Sequence, residues 1–356
     1  MFMTDRRPLG AALVGCGAVS KLYYVPALKQ LESLEQVRVA ALFDPDPASL
    51  AQIHQEFPGA ARVRDFDELT GLGLDLAIVA SPPQYHAGQT IHLLQAGLSV
   101  LCEKPMALSV AEGEAMTAAA STSNCILSIG LVRRFFPAAQ TIHDIVSRNV
   151  LGDVLSFSCC EGRVFRWPVQ SASYFRDNGV LRDIGVHALD LLTWWWGLPE
   201  EVAYEDDAMG GVEVNCRIRL KFPQGFRGEV RLSRDNPLPN FYRIQFEKGW
   251  LQWDIDETNR LQMGFVDSGY FQDVQLRRVD GNAASPADDF RQAFVRQLQN
   301  VVSAVRGAEA PAVPAEEGLR SLKVIEQCYA HRTLMEMPWL GAQEVMRARQ
   351  LKDEKA

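Results

Sequence analysis

The sequence contains no run of about 18 consecutive apolar residues, so no segment is expected to cross a membrane as a helix. It has no His-Glu-x-x-His motif and no Cys/His cluster, and no metal site is expected. A Cys-x-x-Cys pair is missing too. The seven cysteines, Cys16, Cys102, Cys125, Cys159, Cys160, Cys216 and Cys328, are odd in number and sit mostly in apolar, strand-like stretches. They read as small buried hydrophobes in a reducing compartment, which makes a cytoplasmic location the expectation. Positive charge is in short supply: 36 Lys and Arg stand against 44 Asp and Glu, a net charge of −8. Such a surface repels polyphosphate backbones, so no nucleic-acid partner is expected. A hydrophobic content of 47% excludes a disordered chain, and 356 residues suffice for two domains. Arg6-Arg7 ahead of the apolar Leu9–Val14 resembles a short twin-arginine export signal. The fold needs that stretch as a strand, so no export is expected.

What is present is an alternation of strands and helices over residues 1–129. Leu9–Val14 and Val37–Phe43 are apolar runs, as are residues 74–80, 98–102 and 125–129. Runs apolar on both faces suit parallel strands covered on each side. Helical patterns fall between them: one carries Leu22, Val25, Leu28 and Leu31, another ends at Gly97, and Ser109 with Glu112 forms a capping box. This α/β pattern predicts an open, doubly wound parallel sheet.

The pattern changes over residues 130–356. Val212, Val214, Cys216, Ile218, Leu220 and Phe222 alternate with Glu213, Asn215, Arg217, Arg219 and Lys221, the period of an antiparallel strand with one buried face. Pro223-Gln224-Gly225 and Glu247-Lys248-Gly249 read as hairpin turns. A second domain of α+β type, on a mostly antiparallel sheet, is expected. Residues 304–314, rich in Ala, Pro and Gly, read as a linker, and a last helix over 315–331 is expected to pack back on the body.

The chemistry-bearing residues cluster at strand ends. Gly15-x-Gly17 follows a strand and opens a helix through Ala18 and Val19, a turn whose backbone can approach a pyrophosphate. The third glycine of the usual fingerprint is replaced by Ser20. Asp44 ends the second strand, where a carboxylate accepts from ribose hydroxyls and repels a 2′-phosphate, so NAD is expected rather than NADP. Ser81-Pro82 and Glu103-Lys104 end two further strands and are expected to line a dinucleotide site. Lys104 follows an apolar strand, where a partly buried ammonium serves as acid or hydrogen-bond donor. His86 begins the helix after Ser81 and reads equally as a cofactor contact, a cap or an exposed residue. Asp183 and His187 lie four residues apart on a helix that ends at Gly197, and a carboxylate beside an imidazole suits proton transfer near neutral pH. A helix-stabilising pair is the alternative.

Together, Gly15-x-Gly17, Glu103-Lys104-Pro105 and Asp183-x-Gly185-x-His187-x-x-Asp190 resemble the glucose–fructose oxidoreductase, inositol dehydrogenase and rhizopine catabolism family, Gfo/Idh/MocA. Tyr24-x-Pro26-Ala27-Leu28, Ser81-Pro82-Pro83-x-x-His86-Ala87 and Arg133-Arg134-Phe135-x-Pro137 add to the resemblance. It implies an N-terminal Rossmann domain, a C-terminal open sheet and a nicotinamide cofactor. It implies that Lys104 and His187 are catalytic, with Asp183 in the same site. The chain departs from the pattern at Asn178-Gly179-Val180, where many members have a glycine pair or triplet. The implied activity is hydride transfer between NAD(H) and a secondary alcohol or ketone of a sugar, cyclitol or related polyol. A sugar sensor without turnover and an NAD-dependent glycosidase are the alternatives within the family. Arg133, with Arg166, Trp167 and Tyr174 of an insert, are candidate substrate contacts. The small-molecule substrate is the main partner expected. A homodimer or homotetramer is also expected, through a sheet face that Arg217, Arg219 and Lys221 would make polar.

Overall fold

The apolar runs of the N-terminal region become strands β1 (Leu9–Val14), β2 (Val37–Phe43), β4 (Leu76–Val79), β5 (Ser99–Glu103) and β6 (Leu127–Gly130). A short strand, β3 (Ala61–Val63), was not anticipated. The structure is a computed structural model describing residues 7–164, 178–209, 211–277, 290–337 and 341–353. Among these residues the six strands form one sheet, in the order β3-β2-β1-β4-β5-β6. Every neighbouring pair is parallel. This is the Rossmann order, and the strand order reverses between β1 and β4. β1, β4, β5 and β6 are buried along their whole length, as continuous apolar runs require.

The connecting helices begin and end where local chemistry dictates. The Ser109 side chain accepts from the Glu112 amide while Glu112 reaches back, forming the capping box that opens the helix Val110–Ser123. The helix His86–Gln95 stops before Gly97, whose φ of +86° favours glycine. No helix among the described residues is long and apolar enough to cross a membrane.

The chain divides into two compact units. The first comprises Met1–Phe136 with Pro286–Leu322, and the second Pro137–Ser285 with Lys323–Ala356. The first unit therefore takes in residues far beyond the sequence-based boundary at 130. Within it, the stretch read as a linker is built in. The helix Phe290–Val305 overlaps its start, Val313 is fully buried, and the Ile129 amide and Ser128 hydroxyl donate to the Val313 carbonyl at 2.9 and 3.1 Å. The segment covers the free edge of β6, whose backbone groups need partners. The first turns of the helix Ala315–Ala330 pack on the sheet and on the helix Val110–Ser123. Gly318 lies against Ile129, and Leu319 and Leu322 lie against Gly113.

The second unit holds β7 (Val154–Gly162), β8 (Glu201–Asp206), β9 (Asn215–Lys221), β10 (Arg227–Ser233), β11 (Leu238–Phe246), β12 (Gly249–Asp254), β13 (Arg260–Phe265), β14 (Phe271–Gln275) and β15 (Arg332–Leu334). They form one mixed, mostly antiparallel sheet in the order β14-β13-β12-β11-β7-β10-β9-β8-β15. The β7–β10 and β8–β15 pairs are parallel. Cys216, Ile218 and Leu220 face inward, and Arg217, Arg219 and Lys221 face outward, pairing with Glu205 and Glu201. The alternation begins later than expected: the strand starts at Asn215, and Glu213 is buried rather than turned to solvent. Trp195 and Trp196 of the helix Val186–Trp196 anchor that helix to the sheet. Trp196 lies 5.3 and 5.0 Å from the rings of Phe222 and Phe226, and Trp195 lies 5.7 Å from Tyr242. Such edge-to-face pairs contribute about 0.5–1.5 kcal/mol each beyond area burial.

Candidate active site

Because the first sheet is wholly parallel, the residues that follow its strands share one edge. Gly15, Gly17, Ala18 and Val19 follow β1, Asp44 follows β2, Ser81 and Pro82 follow β4, Lys104 follows β5, and Arg133 follows β6. The two glycines do different work. Gly15 has φ +92°, and a Cβ there would stand 2.6 Å from the backbone of Ala80 and Ser81. It lets the β1 and β4 ends approach closely at the point where strand order reverses. Gly17 is exposed, and a Cβ there would meet nothing within 4 Å. That open backbone, at the start of a helix, suits an approaching pyrophosphate. Ser20, in place of the third fingerprint glycine, is fully buried, and its hydroxyl donates to the Gly15 carbonyl at 2.6 Å. The Asp44 carboxylate accepts from the amides of Cys16 at 2.6 Å and Asp46 at 2.8 Å, which fixes it beside the glycine turn. Burial, reinforced by Asp44, pushes the Cys16 thiol up to about 12, and burial does the same to Cys102. These thiols are inert fillers, and none of the seven cysteines is in a disulfide.

Glu103 and His86 hold the loops from behind. Glu103 is buried and accepts from the Tyr24 hydroxyl at 2.7 Å and from the Lys104 amide at 3.0 Å, while Gln297 donates to Tyr24 at 3.3 Å. Burial raises its carboxyl pKa against the pull of these donors and of the Lys104 charge. Gly130 gives it room, since a Cβ there would lie 3.0 Å from the carboxylate. His86 is buried too. Its Nδ1 lies 2.8 Å from the Pro105 carbonyl and its Nε2 2.7 Å from the Ser81 carbonyl. The imidazole thus sits between the end of β4 and the cis Lys104-Pro105 turn. Burial lowers its pKa, the two carbonyls oppose this, and Lys104 adds to the lowering. Lys104 itself is half-buried at the end of β5.

In the second unit the helix bearing Asp183 and His187 opens with a π turn, Leu181–Gly185, before the α-helix Val186–Trp196. A second π turn, Ser20–Tyr24, follows the glycine loop. Such turns recur at functional sites. Asp183 is paired with Arg234, 3.0 Å away and buried. The same guanidinium donates to the carbonyls of Asn178 at 2.7 Å and Gly179 at 3.1 Å, so it clamps the loop leading into the helix. His187 is half-buried on the first α turn. Arg234→Met would leave this carboxylate and two carbonyls without their cation. The expected cost is up to about 3–5 kcal/mol in a denaturant titration, with only partial recovery for Arg234→Lys, which lacks the planar fork.

Arg133 is half-buried after β6, and its neighbour Arg134 is a buried anchor paired with Glu317 at 2.9 Å. Arg166, Trp167 and Tyr174 lie outside the described residues. No group of three or more His, Cys, Asp or Glu side chains placed to hold a metal occurs among the described residues. Sequence reasoning missed Arg234 and Glu213. Both are charged residues in segments that read as hairpin surface, and their partners are distant in the chain.

Comparison with known proteins decides the family. Residues 9–131 match the oxidoreductase family with an NAD-binding Rossmann fold, and residues 139–252 match the GFO/IDH/MocA C-terminal domain. The chain belongs to the Gfo/Idh/MocA oxidoreductase family. It is 27% identical over 332 residues to scyllo-inositol 2-dehydrogenase (NADP(+)) IolW of Bacillus subtilis, a match covering 88% of this chain and 91% of that protein. It is also 27% identical over 186 residues to trans-1,2-dihydrobenzene-1,2-diol dehydrogenase of Sus scrofa, spanning 50% of this chain and about half, 54%, of that relative. Among solved structures, aldose-aldose oxidoreductase from Caulobacter crescentus, complexed with glycerol, superposes with a TM-score of 0.78 at 25% identity. That alignment covers 91% of this chain and 97% of the other. The Gfo/Idh/MocA chain described here is therefore an oxidoreductase whose relatives include sugar and inositol dehydrogenases.

Proposed function

We propose that this family member is an NAD(H)-linked dehydrogenase of a secondary alcohol on a small polyhydroxylated ring, a sugar or cyclitol. The observation that carries the reading is the presence, in one chain, of a glycine turn open to a pyrophosphate together with Lys104 and the Arg234-held Asp183, four residues before His187. The names of the relatives, acting on inositol, a dihydrodiol and aldoses, support the substrate class.

Gly15, Gly17, Ala18 and Val19 would hold the pyrophosphate, Asp44 the adenosine ribose, and Ser81, Pro82, Glu103 and Lys104 the nicotinamide side. His86 serves this site by sitting between two of its loops, where both ring nitrogens face backbone carbonyls. The bound nicotinamide supplies hydride acceptance or donation. The Lys104 ammonium donates to the reacting oxygen and stabilises its alkoxide character. The His187 imidazole takes the alcohol proton, or returns it in the reverse direction. Asp183 grips a neighbouring hydroxyl or orients the ring. Arg133, Arg166, Trp167 and Tyr174 would complete the polyol site. Initial rates over a panel of sugars, cyclitols and apolar alcohols test the reading. A preference for an apolar alcohol over every polyol would refute it.

Asp44 is fixed at the end of β2 by two amides, and Pro45-Asp46-Pro47 brings a second carboxylate and no cation. A 2′-phosphate there meets like charge, so kcat/KM is expected to favour NAD over NADP. Asp44→Ser combined with Pro45→Arg is expected to shift the ratio toward NADP by about tenfold or more, the effect of ~1.4 kcal/mol. A parental preference for NADP, as in the name of the B. subtilis relative, would refute the assignment.

A further inference from the structure

A cluster of buried charges in the second unit remains outside that mechanism. Glu213 lies between β8 and β9 and is 2% exposed. Its Oε1 accepts from the Leu181 amide at 3.1 Å and from the Tyr329 hydroxyl at 2.8 Å. Its backbone carbonyl accepts from the Val180 amide at 3.0 Å. Residues 180 and 181 open the helix that carries Asp183 and His187, and its N-cap residue, Val180, supplies no side-chain cap. Glu213 therefore satisfies two amides that a helix start leaves without partners, from a distant part of the chain. Gly179 is cut to fit it: a Cβ there would stand 1.9 Å from Oε1.

Glu213 is held in turn from near the C-terminal end of the unit. Arg332 Nη2 lies 3.6 Å from its Oε2, and Arg332 Nε lies 2.6 Å from Asp206, which is fully buried. Arg332 opens β15 and pairs in register with Tyr204 of β8. The Tyr329 ring carries the Arg182 guanidinium 5.0 Å from its centroid. Burial raises the Glu213 carboxyl pKa, its hydrogen-bond donors oppose this, and Asp206 adds to the rise. Apolar residues of similar volume would fill such a site at less cost than two buried carboxylates and a guanidinium.

We propose that Glu213, held by Tyr329, is a positioning residue that sets the start of the Asp183–His187 helix and hence the placement of both side chains. The proposal rests on the dehydrogenase reading for its kinetic consequence. A displacement of about 1 Å at a proton-transfer group costs on the order of 10²-fold in rate. Glu213→Ala is expected to lower kcat by roughly 10–100-fold at saturating substrate, with NAD affinity changed less than about twofold, because residues 9–131 supply the dinucleotide site. Glu213→Gln keeps an oxygen that accepts from Leu181 and Tyr329, so it is expected to stay within about threefold of the parent. Tyr329→Phe removes one donor and leaves the ring, and is expected to lower kcat about three- to tenfold.

Glu213→Ala with parental kcat would overturn the proposal, as would Glu213→Gln falling as far as Glu213→Ala. Should Glu213→Ala fail to fold, unchanged kcat in Tyr329→Phe overturns it and the expected drop supports it. If the parent oxidises no polyol, the dehydrogenase reading fails by itself. The proposal is then read from amide hydrogen exchange. Faster exchange confined to residues 180–187 in Tyr329→Phe, at unchanged melting temperature, supports it, and unchanged exchange there overturns it.

Discussion

His187→Ala and Lys104→Met are each expected to lower kcat on the polyol substrate by about 10²–10⁴-fold, the usual contribution of a positioned acid–base or oxyanion-stabilising group. The two losses should differ in kind. His187 lies outside residues 9–131, which match the dinucleotide-binding family model, so its removal should leave NAD affinity nearly intact. Lys104 follows β5 at the strand edge shared with Gly17 and Ser81, so its removal is expected to weaken NAD binding as well. Lys104→Arg keeps the charge and changes its shape, and is expected to recover binding better than turnover. Steady-state kinetics with a separate fluorescence titration of NAD would show the split. Near-parental turnover in both His187→Ala and Lys104→Met would place the chemistry on other residues.

Gly15→Ala and Gly17→Ala are expected to separate folding from binding. At Gly15 a side chain meets the backbone of Ala80 and Ser81 at 2.6 Å and adopts φ +92°, so both strain and overlap follow. The expected loss of stability is roughly 2–5 kcal/mol, the sum of a left-handed residue and an overfilled contact. Dinucleotide affinity should fall with it. At Gly17 a side chain has open space, so the melting temperature should hardly move. Affinity for NAD should still drop by tenfold or more, by order of magnitude, because the methyl occupies the approach to the pyrophosphate. Equal destabilisation by the two substitutions would contradict this division.

The sequence made the first sheet readable because parallel strands buried on both faces are continuous apolar runs. β1 and β2 coincide with their runs, and the other runs shift by a residue or two. β3 escaped because three residues at a sheet edge, two of them exposed, carry no period. Residues 304–314 have the composition of a linker. Composition does not reveal that the Val313 carbonyl accepts from β6, so the segment read as a tether is an edge cover. The glycine turn, Asp44, Lys104, Asp183 and His187 were all visible as local motifs. Their supports were not. Arg234 directly follows a strand of alternating character, and Glu213 sits in a Val-Glu-Val run that imitates one, so its burial and its bond to Leu181 come from tertiary packing alone. His86 stood out as a residue, but its role needed the two carbonyls of Ser81 and Pro105 placed on either side of the ring.

The central claim, hydride transfer between a polyol and NAD, is tested most directly by isotope transfer. The protein is incubated with NAD⁺ and a set of sugars and cyclitols deuterated on carbon, and the recovered nicotinamide is analysed by mass spectrometry. The account predicts reduced nicotinamide carrying one deuterium from at least one of these polyols, at an initial rate about 10²-fold or more lower with His187→Ala. Tight NAD binding with no deuterium transferred from any of them, or sugar released from a glycoside with no net reduced cofactor, would contradict it.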